Sequence, residues 1–165
     1  MKVTTLRFGE IEISPEEIIE FPEGLLGFDH LHRYVILNTQ KDSPFRWLQC
    51  VEDGQLAFVI IEPLSFMFSY DLEISDSDAE FLGLKKAEDV ILYAIVTIPE
   101  NVQEMTANLQ GPIVINAVNR KARQVISNNP ELKLKTRILD EMAKRTEKIN
   151  SLKPAPTSPK KEDES

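Results

Sequence analysis

The sequence is poor in the residues on which most protein chemistry depends. Its 165 residues include one cysteine, two histidines and six glycines. A single cysteine excludes an internal disulfide, and Cys50 sits in the apolar stretch Trp47-Leu48-Gln49-Cys50-Val51, the setting of a small buried hydrophobe rather than a reactive thiol. His30 and His32 flank Leu31 and follow Asp29. On a strand they would share one face, and two imidazoles with a carboxylate suit a transition metal. No third histidine completes the set, so a solvated or hydrogen-bonded pair is expected, with no metal. No serine lies in a Gly-x-Ser-x-Gly elbow. Gly24 and Gly27 are remote from any Lys-Ser/Thr pair, which excludes a phosphate-cradling loop. Acid pairs are plentiful, but spacing alone does not make a general acid and base. No catalytic residue and no cofactor is expected, and the chain does not read as an enzyme.

Long apolar runs are missing as well. None reaches the ~18 residues that cross a bilayer, and Met1-Lys2-Val3-Thr4-Thr5 lacks the apolar region of a secretory signal. The expected location is the cytoplasm. Positive charge is scarce in one part of the chain only. Residues 1–100 carry 19 acidic and 7 basic side chains, whereas residues 101–165 carry 8 and 12. An acidic body argues against direct nucleic-acid binding, whose footprint is broadly basic. It fits either plain solubility or a basic protein partner.

What is present reads as β structure. The alternating segments on either side of Gly9 change apolar phase there, which predicts a tight hairpin at Gly9. Ser14-Pro15-Glu16-Glu17 has a capping residue, a proline at the first helical position and a glutamate three residues after the serine, predicting a helical turn over Pro15–Glu20. Tyr34–Leu37, Leu56–Ile61 and Val90–Ile98 are short, nearly uniform apolar runs, as in strands buried on both faces. Ile113–Val118 and Ala122–Ile126 flank Asn119-Arg120-Lys121 as a second hairpin. Capping and acidic residues from Asp76, with Gly83 as a stop, predict a helix of one to two turns. Leu134, Ile138, Leu139 and Met142 follow helical spacing and place a C-terminal helix near Glu131–Asn150. Ser151–Ser165, with three prolines and six charges, reads as a disordered tail. The sum is an all-β fold, a small antiparallel barrel-like domain over residues 1–130 with one or two short helices, then a helical extension over 131–150 and the tail.

Large apolar residues stand where turns are expected. Leu25, Leu26 and Phe28 lie in a glycine-punctuated loop, and Leu64, Phe66, Met67, Phe68 and Tyr70 crowd one short segment. Such residues either plug the end of a barrel or form an exposed patch for a protein. They also carry a resemblance. Phe21-x-x-Gly24-x-x-Gly27-Phe28, Ser43-Pro44-Phe45-x-x-Leu48-Gln49, and Phe58 with Pro63 and Tyr70 come first. Thr106-Ala107-Asn108-Leu109-Gln110-Gly111-Pro112-Ile113-Val114-Ile115-Asn116 and Gln124-Val125-Ile126 complete the set. Together they resemble, in order over residues 3–130, the flagellar assembly factor FliW family. Members commonly have alanine where Gly111 stands, a small-for-small change that leaves the turn intact.

The resemblance implies a cytoplasmic, non-enzymatic binding protein with a barrel-like β fold, a monomer when free, with neither membrane nor nucleic-acid contact. It implies two alternating partners: newly made flagellin and the translational repressor CsrA (carbon storage regulator). Flagellin occupies the protein until export releases it to bind CsrA and relieve repression of flagellin synthesis. An RNA-binding repressor is basic where it meets phosphate, so an acidic antagonist suits it. Asp71, Glu73, Asp76, Asp78 and Glu80, within ten positions, are the candidates for that contact, their other reading being a solvated surface. Flagellin termini are apolar and helical, so their partner needs an apolar groove or patch. The candidates are Phe45, Phe66, Asn108, Leu109 and Pro112, while Ile113 reads as core and Asn108 and Asn116 as residues that hold loops by side-chain hydrogen bonds. The rival to this reading is a small-molecule-binding barrel with the Phe66–Tyr70 region as a pocket wall.

Overall fold

The apolar runs form the strands of one long sheet. The structure is a computed structural model and describes residues 1–152. Its elements are β1 (Lys2–Thr5), β2 (Gly9–Glu12), β3 (Ile19–Glu20), β4 (Arg33–Leu37), β5 (Phe45–Cys50), β6 (Ala57–Ile61), α1 (Asp76–Leu82), β7 (Val90–Thr97), β8 (Thr106–Ala107), β9 (Ile113–Asn116), β10 (Ala122–Gln124), β11 (Thr136–Arg137) and α2 (Ile138–Leu152). β1 and β2 form a separate hairpin, and the remaining strands run in the order β10-β9-β7-β6-β5-β4-β3, every ladder antiparallel. β7 is the longest. One edge pairs β6 through Ala94–Val96; the other is divided, with Val90–Tyr93 on β9 and Val96–Thr97 on β8, which in turn pairs β11.

Seven strands in a flat sheet would separate the outermost two by roughly 29 Å at the usual ~4.8 Å per neighbour. Here they touch. The Glu20 amide donates to the Arg120 carbonyl at 2.9 Å, and Glu20 bridges Lys121 beside β10. The sheet is therefore rolled, barrel-like as expected, its ends meeting at one bridge. Inside the roll Ile19, Phe21, Tyr34, Leu48, Ile60, Ile113 and Ile115 form one cluster drawn from strands at both ends of the path. Phe21 and Tyr34 meet edge to face at 5.1 Å, as do Phe28 and Phe58 at 5.4 Å. A second cluster joins Ile61, Phe66, Ala94, Leu109, Leu132 and Ile138 on the other side of the sheet. Consecutive residues such as Tyr34 and Val35, or Ile60 and Ile61, are buried together, so these strands are covered on both faces.

Four local expectations need correction. The first hairpin turns over residues 6–8, with Thr5 opposite Gly9, because Thr5 Oγ1 accepts the Phe8 amide at 2.9 Å and closes the turn one step earlier. The turn after Ser14 is a 3₁₀ turn of Pro15–Glu17 only. The Glu17 carboxylate takes the Ser14 amide at 2.8 Å, and β3 follows at once, since pairing with β4 outweighs a second helical turn. β5, read only as an apolar stretch, is an inner strand. Its Gln49 is fully buried, donating to the carbonyls of Cys50, Gly54 and Leu56 at 3.1, 3.2 and 3.1 Å. Finally, the C-terminal helix starts at Ile138 rather than near Glu131. The chain before it is held extended: Leu132 is buried in the second cluster, the Leu109 amide reaches the Lys133 carbonyl at 3.0 Å, and β11 pairs β8. Ser151 and Leu152, assigned above to the tail, close α2, and the rest of that tail lies outside the described residues.

Candidate functional site

The acidic segment folds around α1. Ser75 caps the helix, its Oγ accepting the Asp78 amide at 3.0 Å, and Gly83, at φ +70°, ends it. The last carbonyls are taken up by the β9–β10 turn: Asn116 Nδ2 donates to Leu82 O and Gly83 O at 2.9 and 3.2 Å, and Asn119 Nδ2 to Leu82 O at 3.0 Å. Asn116 thus holds a loop, as its residue type foretells. Asp78 is engaged from two sides. Its carboxylate accepts Ser75 Oγ at 3.0 Å and Arg123 Nη1 at 3.1 Å, while Arg123 also reaches Glu23 at 3.0 Å and lies 4.2 Å over the Phe81 ring.

Asp71, Glu73, Asp76 and Glu80 are exposed and form no ion pair among the described residues. Asp71 and Glu73 stand with Asp78 on one wall of an open groove of about 900 Å³, whose opposite wall is residues 125–129, carrying the exposed Ile126 side chain. Asp76 and Glu80 lie on α1 outside that lining. The five acids therefore separate into two groove acids free of ion pairs, one structural carboxylate and two on the helix surface.

The apolar candidates are dispersed. Phe66, Leu109 and Pro112 are buried, and Asn108 turns its Oδ1 inward to the amides of Gln110 and Gly111 at 3.1 and 2.9 Å. The Tyr70 hydroxyl donates to the Leu109 carbonyl at 2.8 Å, and burial pushes its pKa up to about 12. The most specific block of the sequence is thus a buried, hydrogen-bonded corner, and the patch expected from Phe66, Leu109 and Pro112 has no surface. Phe45, by contrast, lines an opening. It borders an apolar groove of about 250 Å³ with Trp47, Val59, Ile98, Val102 and Met105, of which Ile98 and Val102 are about half exposed. Sequence reading missed this groove. The available signal was a pair of aliphatics, Ile98 and Val102, flanking Pro99-Glu100-Asn101, where a turn has no need of them. The two crowded loops are mixed: Leu25 and Phe66 plug the interior, whereas Leu26, Leu64 and Phe68 face outward.

The histidines are exposed or nearly so. His32 Nε2 lies 3.0 Å from the Asp29 carbonyl, and among the described residues no three His, Cys, Asp or Glu side chains cluster as metal ligands. Burial pushes the Cys50 thiol up from its ordinary range. Glu52, by contrast, is held below the usual carboxylate range because its Oε1 accepts the His32 and Arg33 amides at 2.6 and 3.1 Å, with the Arg33 guanidinium beyond. No helix among the described residues is long and apolar enough to cross a membrane.

Fold and surface define a rolled antiparallel β protein whose surface openings include one groove walled by acids and one by apolar side chains. Comparison with known proteins narrows this. The family model described as FliW protein matches residues 2–138. The flagellar assembly factor FliW of Alkaliphilus metalliredigens is 47% identical over 156 residues, 94% of this chain and 96% of that one. Its counterpart in Ruminiclostridium cellulolyticum is 42% identical, covering 88% and 99%, and that of Leptospira biflexa 41%, covering 86% and 95%. A crystal structure of the flagellar assembly factor FliW, 39% identical, superposes with a TM-score of 0.78 over 84% of this chain and 96% of that one. The chain belongs to the FliW family.

Proposed function

We propose that this chain acts in flagellar assembly as a cytoplasmic, non-enzymatic binding protein with two alternating partners, flagellin and the translational repressor CsrA. Membership of the FliW family over residues 2–138 is the observation that carries the reading, since the relatives bear the name of flagellar assembly factors. In this scheme flagellin occupies the protein while it accumulates; export frees the protein to take up CsrA, and flagellin synthesis resumes. The acidic groove supports the second contact. Asp71 and Glu73 form no ion pair among the described residues, so a basic repressor gains association rate there and RNA is repelled from the complex. The groove beside Phe45 supports the first, because apolar helical termini need exposed apolar lining and Ile98 and Val102 supply it. Both openings are open-sided, which favours macromolecular contact over an enclosed small ligand.

Native mass measurement of the purified chain with CsrA, with and without flagellin, tests the reading. A complex with CsrA that flagellin displaces is expected. Reversing Asp71 and Glu73 to lysine is expected to weaken CsrA binding at least tenfold at low salt and to flatten its salt dependence. Undiminished binding by that variant removes the acidic groove as the contact; no CsrA complex with the native chain removes the scheme.

A further inference from the structure

The chain from Asp71 to Ile74 has the habit of a strand but no strand beside it. Exposure alternates along it, Asp71 and Glu73 outward, Leu72 and Ile74 half-buried, the two-residue period of an extended chain. Leu72 and Ile74 pack against the cluster of Leu82, Val114 and Val125, which fixes the segment to the fold. Yet none of its four amides or four carbonyls makes a hydrogen bond to any group of the described residues. Backbone groups in an ordered, anchored segment normally find partners, and an unpaired extended edge is a template for another strand.

Across the groove the chain after β10 continues its ladder inward, the Val125 and Ser127 amides donating to Pro112 O and Gln110 O at 2.9 and 2.8 Å. The backbone groups of Ile126 and Asn128 make no hydrogen bond among the described residues. The groove of about 900 Å³ thus runs between two unpaired backbones. Its side-chain character follows from the same period: Asp71 and Glu73, without ion pairs among the described residues, stand outward, Ile74 and Val125 lie lower down, and the exposed Ile126 stands on the opposite wall.

We propose that a partner protein's extended, basic segment adds to this chain as a strand along Asp71–Ile74. Lysine or arginine at every second position faces Asp71 and Glu73, and the intervening small or apolar side chains face Ile126. Main-chain hydrogen bonds supply the binding and the alternation supplies the selection. The inference rests on the acidic groove being a partner-binding surface and states how that surface binds.

The probe is an alternating Lys-Val hexapeptide, compared with a block peptide of the same composition and with two forms N-methylated on the lysine or on the valine amides. Binding to the full chain is followed at low ionic strength, with amide hydrogen exchange at Leu72, Glu73 and Ile74. Alternating peptide is expected to bind at least tenfold better than the block peptide. At least one N-methylated form, with its charge intact, is expected to lose tenfold or more, because a strand pairs through every second residue. Alternate amides within Asp71–Ile74, those on the edge that the peptide takes, are expected to exchange at least tenfold more slowly in the complex. Equal binding of all four peptides without protection overturns strand addition while leaving a charge-only contact in place; no binding by any peptide overturns it too. The Asp71→Lys, Glu73→Lys variant with intact CsrA separates the two levels: if it keeps full affinity, the underlying reading of the groove fails independently of the peptides.

Discussion

At the scale of single residues, Glu52 contributes to the acid limb of stability. Its carboxylate accepts two backbone amides, His32 and Arg33, in the stretch that leads into β4, and it does so better when ionised, which lowers its pKa in the folded state. A depressed carboxylate pKa means that the folded protein resists protonation more than the unfolded chain does. The stabilisation is complete above the ordinary value of 4.5 and is lost as pH falls through the lowered folded value. Glu52→Gln keeps an acceptor oxygen but cannot titrate. Urea unfolding at neutral pH and in steps below pH 4.5 is expected to show the variant less stable at neutral pH and the difference shrinking in acid. A gap that stays constant with pH refutes the assignment. Glycine illustrates how uneven residue-level legibility is. Gly24, at φ +69°, would set a Cβ 2.5 Å from the Phe28 carbonyl, and its place in the Phe21–Phe28 pattern marks it in advance. Gly54 is as constrained, a Cβ there colliding with the Thr4 carbonyl, and nothing in Glu52-Asp53-Gly54-Gln55 announces that β1 passes so close.

At the scale of elements, what could be read from the sequence is what local chemistry decides. β4, β6, β7, the β9–β10 hairpin and α1 fall where apolar runs, turn residues and caps place them. What escaped is what distant parts of the chain decide. β5 is broken by Arg46 and Gln49, and only the three carbonyls waiting for Gln49 make that glutamine a core residue. Residues 131–137 have helical spacing, yet β8 offers a backbone ladder and the second cluster a seat for Leu132. The site divides in the same way: acids are visible wherever they stand, so Asp71 and Glu73 were legible, whereas Leu109 and Phe66 resembled a patch because large apolar residues in a turn look alike whether they plug or protrude. Burial of Leu132 and Ile138 gives an element-level prediction. A chain ending at Pro130 loses β11, α2 and two members of the second cluster, exposing Phe66, Ala107 and Leu109. Removing apolar side chains of this size costs about 2–5 kcal/mol each. Thermal unfolding is expected to lose its cooperative transition, whereas a chain ending at Leu152 keeps it; equal melting of the two would show the extension to be dispensable.

At the scale of the whole molecule, the rolled sheet makes its two ends mutually dependent. Ile19, on β3 at one end of the path, shares a buried cluster with Ile113, Ile115 and Ala122 of β9 and β10 at the other. The direct backbone link between the ends is confined to the bridge at Glu20, so packing in the interior carries most of the closure. Ile19→Ala is expected to lower stability by about 2–5 kcal/mol in urea unfolding with an unchanged dependence on denaturant, the sign of one cooperative unit. A second transition, or a loss below about 1 kcal/mol, would mean that the ends come apart independently of the rest.

The division of β7 has a consequence for traffic between the grooves. Val90–Tyr93 holds β9, and through it the acidic side; Val96–Thr97 holds β8 and lies next to Ile98 of the apolar side. The grooves share no lining residue. Under the two-partner scheme proposed above, guests seated in the two grooves would have no common side chain to contest, and β7, eight residues long, is the strand that carries the neighbours of both openings. A guest in one groove would occupy none of the other's lining residues, so displacement of one by the other would have to pass through structure that both share.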